Sequence, residues 1–438
     1  MISSTLKMAA DRAINPIFEV FSLRCGVSEI IEAGIAIESF FFVILIVPYR
    51  FVICVVLKRW DRDIKLRVVE DTDLNKPLLD DIEKIRAVDK SGMIDFCINA
   101  PMHYREAAKI AQKIKVSYPV PDNIIIAGMG GSAIGGDVFK DWARNKLIVP
   151  LEINREYNLP EYADQKTLVL VSSYSGDTEE SLGAFLDALK RGCMIFCISS
   201  GGELIKAAKK HKVPYLQVPG GMPPRAALPY MLVPLLVFME KSGLVEGVKE
   251  ELEETFTVLE RIVEENGPDR PQNDNFAKNT AHFFWDSAPV VYGFGFYRSV
   301  AQRFKQQFNE NSKSPAKWEC LPEIDHNEIV GWSGKGEQCK WFSVIFIRDA
   351  DEPGEIESRI VITKALIECT GIVTFDLHAQ GKSCLAKMLS TVVVGDFLSV
   401  YLAIERNADP TPVKTIDLLK NKLKENGVRD EIIKQLES

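Results

Sequence analysis

Between residues 122 and 218 short apolar runs alternate with amphipathic stretches, and the alternation predicts strands at 124–127, 149–153, 167–171, 193–198 and 213–218 with helices at 133–143, 178–191 and 203–210. Continuous apolar strands separated by helical periods predict a doubly wound α/β layer with a mainly parallel sheet. From Leu228 to Lys241 the chain is apolar nearly all round, which predicts a helix buried on every side. A charged amphipathic helix follows, and 266–274, rich in proline, glycine and asparagine, predicts a linker. Beyond it the pattern recurs in degenerate form. Pro289-Val-Val-Tyr-Gly-Phe-Gly295 is a strand entering a glycine turn, and Phe296, Val300, Phe304 and Phe308 form the i, i+4 stripe of a helix. Strands at 341–347 and 371–376 then alternate with helices at 356–369 and 381–405, and a proline-started helix is expected from 410. The expected organisation is an N-terminal extension over 1–70, a helical lead-in over 71–121 with an amphipathic helix from His103 to Val116, one α/β domain over 122–245, helix and linker over 246–280, and a second α/β domain over 281–438.

Residues 1–70 stand apart. The run 35–57, centred on Phe40-Phe-Phe-Val-Ile-Leu-Ile-Val47, is long and apolar enough to cross a bilayer, although Glu38, Pro48 and Arg50 interrupt it. Two readings stay open, a membrane anchor or a segment dispensable to a soluble enzyme, including an over-extended gene start. The remainder has cytosolic character. Nine cysteines contain no CxxC pair and lie mostly in apolar runs, as reduced core thiols do. Five histidines make neither HxH nor HExxH, which gives no support to a metal site. A net charge of −8 argues against nucleic acid as a partner, so any acidic ligand must be met locally.

Two loops supply that local chemistry. Ile124-Ile-Ile-Ala-Gly-Met-Gly-Gly-Ser-Ala-Ile-Gly-Gly-Asp137 reads as strand, glycine-rich turn and helix start, with Gly130, Gly131 and Ser132 placed to offer backbone N–H groups to an anion. One βα unit later, Ser172-Ser-Tyr-Ser-Gly-Asp-Thr178 puts Ser173, Ser175 and Thr178 ahead of the next helix, a composition suited to phosphate. Asp177 is an electrostatic cost there unless it turns away to cap a helix. Gly128-x-Gly130-x-x-Ala133 also fits a dinucleotide fingerprint with Glu152 as the ribose partner, so an oxidoreductase is a rival, as is a non-enzymatic sugar-phosphate sensor.

Taken in order, Gly130-Gly-Ser-Ala-Ile-Gly-Gly136, Ser173-Tyr-Ser-Gly-Asp-Thr178, Pro224-Arg-Ala-Ala-Leu228, Asn309-Glu-Asn311 and His326-Asn-Glu-Ile-Val-Gly-Trp332 resemble the bifunctional phosphoglucose/phosphomannose isomerases, which are built from two sugar isomerase (SIS) domains. The resemblance runs from about residue 75 to 428 and implies an aldose–ketose isomerase of hexose 6-phosphates, without metal or nucleotide cofactor. It places Glu310 as the base that carries a proton between C1 and C2, and His326 as the ring opener, reaching in from the neighbouring subunit of a homodimer. Arg225, stiffened by two prolines, bears a permanent charge suited to enediolate oxygens. Lys420 matches the family's C-terminal lysine, with Lys414 as its rival for that register. His326, beside Asp325 and Glu328, is in a setting that could hold it partly protonated near neutrality.

Overall fold

The computed structural model describes residues 77–438 apart from 116–117, 334–338, 340 and 438, together with the backbone of three strands between residues 31 and 58. The chain divides into two units, Met1–Lys76 and Pro77–Ser438. In the first, β1 (Ile31–Ile37), β2 (Phe40–Val47) and β3 (Arg50–Lys58) form an antiparallel sheet in chain order. The run 35–57, whose length would allow a single apolar span, is divided among these strands. Aromatic and β-branched residues dominate the run, and they favour paired strands over one continuous helix.

The second unit opens with α1 (Ile82–Val88), whose first turn is capped by the Asp81 carboxylate, then α2 (Met93–Ile98) and α3 (Ala100–Ala111). Pro101 lies in the first turn of α3, where its missing N–H costs nothing, and the helix ends at Ala111 rather than at Val116. Then come β4 (Asn123–Ala127), α4 (Gly130–Ala143), β5 (Leu151–Asn154), β6 (Thr167–Ser172), α5 (Glu179–Arg191), β7 (Met194–Ser199), α6 (Gly202–Lys210), β8 (Tyr215–Gln217) and α7 (Leu228–Lys241). The strands are parallel in the order β5-β4-β6-β7-β8, which sets the C-terminal ends of β4 and β6 side by side, with Ala127 opposite Val171. Those two ends feed the glycine-rich loop and the serine-rich loop. The glycines in α4 are packing residues as well: a Cβ on Gly136 would press on Ile126, and one on Gly135 would press on Met231 of α7.

After α8 (Val248–Asn266) and the expected linker at 266–274 comes a helix, α9 (Phe276–Phe283), capped by the Asn275 side chain and anchored by the buried Lys278, whose Nζ donates to the carbonyls of Pro268 and Arg270. A buried lysine ties the turn together from within, which composition could not show. There follow β9 (Ala288–Phe294), α10 (Arg298–Glu310), β10 (Lys317–Leu321), α11 (Glu328–Trp332), β11 (Phe342–Arg348), α12 (Gly354–Glu368), β12 (Thr374–His378), α13 (Cys384–Glu405), α14 (Lys414–Lys424) and α15 (Val428–Glu437). The second sheet is parallel, in the order β10-β9-β11-β12. β10 escaped sequence reading because an edge strand with one open side carries a mixed pattern, here Lys-Trp-Glu-Cys-Leu. The tail helix α14 starts at Lys414 instead of Pro410, whose carbonyl is used elsewhere.

α13 has the length and apolarity of a membrane span, yet 89% of its most apolar window is buried within the protein. It is a core helix, and Leu385, Met388, Leu389, Phe397, Leu398 and Tyr401 are sealed from solvent. Gly395 of α13 lies directly against the Phe304 ring of α10, closely enough that a Cβ there would collide with it. Gly395→Ala is therefore expected to destabilise the protein by about 1–3 kcal/mol through overpacking. Because Phe304 shares α10 with Glu310, turnover should fall too. Urea unfolding measures the first effect, and an unchanged midpoint would mean that the ring swings aside freely.

Candidate active site

The two loops at the head of the first sheet are stitched together. The backbone N–H of Tyr174 donates to Ser132 Oγ at 2.9 Å, and a Cβ on Gly128 would lie 2.7 Å from the carbonyl oxygen of Ser172. Ser173 organises its own turn, accepting at Oγ from the Gly176 N–H at 3.2 Å and donating to Thr178 Oγ1 at 3.3 Å. Ser175 is exposed and accepts from the Asp177 N–H. Each of these hydroxyls that only accepts keeps its own proton for a ligand. Ser172 differs, because its hydroxyl points into the core toward the Met231 sulfur. Neither α4 nor α5 has a side-chain hydrogen bond at its N-cap, Met129 and Thr178 respectively; in the first turn of α4 the Ser132 N–H turns back to the Met129 carbonyl at 3.0 Å, which leaves the N–H groups of Gly130 and Gly131 for an anion. Two open helix N-termini and two hydroxyl-bearing loops make a seat for a compact anion.

Asp177 turns away, as its position requires. Its Oδ1 accepts from the Glu203 N–H at the start of α6 and from Arg429 Nη2 of α15 at 2.7 Å. The carboxylate thereby serves another helix end and a tail arginine.

A third loop closes over the first two. The Tyr174 hydroxyl accepts from the Met222 N–H at 3.1 Å, and a Cβ on Gly131 would stand 2.7 Å from the Pro224 carbonyl oxygen. Only glycine lets the anion loop approach this turn so closely. The turn, Pro224–Ala226, presents Arg225, which is 3% exposed and makes four hydrogen bonds. Its Nε donates to Asn311 Oδ1 at 2.6 Å, Nη2 to the carbonyls of Pro410 and Thr411 at 2.8 and 2.7 Å, and Nη1 to Glu310 Oε2 at 3.4 Å. Burial lowers the proton affinity of this guanidinium and Glu310 opposes the fall. Arginine starts so high that the group stays cationic. Glu310 ends α10 with its side chain partly open to solvent, while Asn311 is buried and donates onward to Ser399 Oγ.

Several of these residues were not singled out by sequence reading. Arg303 donates twice to Asp396 and also to the Arg225 carbonyl at 3.1 Å, and Gln307 donates to Asp396 at 2.8 Å. Arg303 and Gln307 are charged and polar residues on the inner face of α10, in phase with Val300, Phe304 and Phe308. That phase was the available signal. Lys313, whose Nζ donates to the Glu310 carbonyl, carried no sequence signal.

The structure brings Arg225 and Glu310 together, and the two loops with each other, but leaves His326, Lys414 and Lys420 apart from them. His326 is exposed beyond the edge strand β10. No hydrogen bond joins it to the neighbouring carboxylates: Asp325 binds Arg359 and Thr363 of α12, and Glu328 binds Tyr292 and Lys317. Lys414 and Lys420 are both exposed on α14, a helix with no buried residue. Among the described residues no group of three or more His, Cys, Asp or Glu side chains could hold a metal ion.

Comparison with known proteins gives this arrangement a family. Residues 273–423 match the family described as bacterial phospho-glucose isomerase C-terminal SIS domain. The chain is 40% identical over 336 residues to a bifunctional phosphoglucose/phosphomannose isomerase of Caldicellulosiruptor bescii, covering 76% of this chain and 99% of that one. It is 37% identical to the enzyme of the same name from Aquifex aeolicus, over 69% of this chain and 91% of its relative. In fold it is similar to hypothetical protein TT0462 from Thermus thermophilus, with a TM-score of 0.60 at 16% identity, covering 80% of this chain and 94% of that one. With two parallel α/β sheets and this degree of identity to its relatives, the chain is an isomerase that belongs to the bifunctional phosphoglucose/phosphomannose isomerase family.

Proposed function

We propose that this isomerase interconverts glucose 6-phosphate and mannose 6-phosphate with fructose 6-phosphate through a cis-enediolate, with Glu310 as the base. The observation that carries the reading is the pairing of a partly open carboxylate, Glu310, with the buried guanidinium of Arg225, whose turn packs against the glycine-rich loop at Gly131. The relatives' names supply the substrates. Gly130, Gly131, Ser132, Ser173, Ser175 and Thr178 take the phosphate through backbone N–H groups and hydroxyls. The substrate chain then runs past Arg225 to Glu310. One carboxylate can remove the C2 proton and return it to C1, because both carbons of a cis-enediolate present the same face. Arg225, held by acceptors on Asn311, Glu310, Pro410 and Thr411, stabilises charge on the enediolate oxygens without reorganising.

His326 opens the ring and is supplied by a second copy of the chain. Its exposure fits this role, and so does its setting. Asp325 is fastened to α12, a helix that leaves Val361, Ile362 and Leu366 exposed, and Val330 and Trp341 are exposed nearby in sequence. α14 likewise exposes Ile416, Leu418 and Leu419, with Lys420 as the tail lysine of the site. Apolar surface of this extent suits a homodimer. Free thiols, with Cys97, Cys197 and Cys320 buried, suit a reducing cytoplasm.

Three experiments test the reading. Ser175→Ala with Thr178→Ala removes hydroxyls from the anion seat, and KM should rise strongly with the fold intact, since each charge-assisted bond lost is worth about 1.5–3 kcal/mol. An unchanged KM would put the phosphate elsewhere. Glu310→Gln keeps shape and hydrogen bonding but loses basicity, and formation of fructose 6-phosphate from both aldoses, followed in a coupled assay, should drop on the order of 10²–10⁴-fold. His326→Ala should still exchange the C2 proton with solvent on open-chain substrate. Near wild-type turnover in Glu310→Gln would place the base on another residue, and equal loss of exchange in both variants would refute the division of labour.

A further inference from the structure

Immediately after Glu310 the backbone does something unusual. Lys313 has φ of 53°, in the left-handed region that a helix end ordinarily reserves for glycine or asparagine. Its neighbours hold it there. Ser312 and Ser314 are buried, their N–H groups both donate to the Phe308 carbonyl, and Ser312 Oγ donates to the Ser399 carbonyl at 2.6 Å. A lysine kept at an unfavourable position by its surroundings invites the question of what its side chain does. Its Nζ donates to the Glu310 carbonyl at 2.6 Å and to the Pro410 carbonyl at 2.8 Å. The same Pro410 oxygen takes a bond from Arg225 Nη2. Two cations thus converge on one carbonyl at the start of the segment that leads to α14.

We infer that Lys313 is a positioning residue for the isomerisation: by joining the backbone of Glu310 to that of Pro410 it fixes the base relative to Arg225 and to the tail segment that carries Lys420. The inference rests on Glu310 being the base. Lys313 touches backbone carbonyls and not the substrate, so its effect falls on the geometry of the chemical step, not on the phosphate seat.

The charges around it give the strap a pH dependence. Lys313 as a whole is exposed, but its ammonium is partly desolvated against the Glu310 and Pro410 carbonyls, and this together with the adjacent Arg225 brings it down to about 8, against the opposing pull of Asp409 and Glu310. Below that value the ammonium makes both charge-assisted bonds. As pH rises through it the charge is lost, the strap weakens and kcat falls.

The test is kcat and KM against pH for the full-length enzyme and three variants. Lys313→Met should lower kcat at neutral pH by about 10–100-fold with KM within about threefold, and should lose the alkaline limb near 8. Lys313→Arg, whose charge persists, should recover most of kcat and move the limb to higher pH. Lys313→Gly suits the left-handed backbone, so its thermal midpoint should equal or exceed that of the wild type while kcat falls as in Lys313→Met, which separates lost positioning from lost folding. Wild-type kcat and an unchanged limb in Lys313→Met overturn the inference, as does a change confined to KM. Glu310→Gln assayed in parallel keeps the two readings apart. If it stays active the base assignment fails whatever Lys313 does, and if it is dead while Lys313→Met is normal, only the positioning role fails.

Discussion

The site depends on one buried cation. A guanidinium taken out of water is costly unless its donors find acceptors, and Arg225 finds four on segments far apart in sequence: Asn311 and Glu310 at the end of α10, and the carbonyls of Pro410 and Thr411 before α14. Its own carbonyl is held by Arg303, which Asp396 of α13 holds in turn. Satisfying this one charge therefore assembles the turn after the first sheet, a helix of the second sheet and the chain beyond α13. Glu310 is positioned as a by-product of burying its partner.

The anion seat follows from a simpler constraint. Parallel strands lead each connection out at the same sheet edge, so β4 and β6, being neighbours, bring two loops and two helix N-termini to one place. Glycine at 131 then lets the Pro224–Ala226 turn come down onto that place, which joins the seat to Arg225.

Much of this was legible in the sequence because it rests on local pattern. The apolar runs of β4, β6, β7, β9 and β11 and the stripe of α10 are set by burial on both faces of a sheet or along one face of a helix, and both leave periodic traces. Motif order disclosed the family, and turn composition disclosed the Asp177 problem, which the structure resolves at α6 and Arg429. What stayed hidden depends on partners distant in sequence. β10 takes its strand character from β9, α9 takes its stability from a lysine buried under its own turn, and Arg303 with Asp396 is a pair separated along the chain and joined only by folding. The three strands of the extension were hidden for another reason: apolar length alone does not tell one span from several strands.

The two sheets have become unlike at the same point of their topology. After β6 the chain offers hydroxyls and a glycine; after β11, the strand in the matching central position, it offers Asp349, Asp351 and Glu352. Those carboxylates are already spoken for: Asp349 accepts from Tyr297 and Lys387, Asp351 from Lys387, and Glu352 from Arg348. A phosphate approaching there would meet negative charge whose counterions belong to the protein. The first sheet thus meets an anion with hydroxyls and helix N-termini, where the second presents carboxylates already paired within the protein.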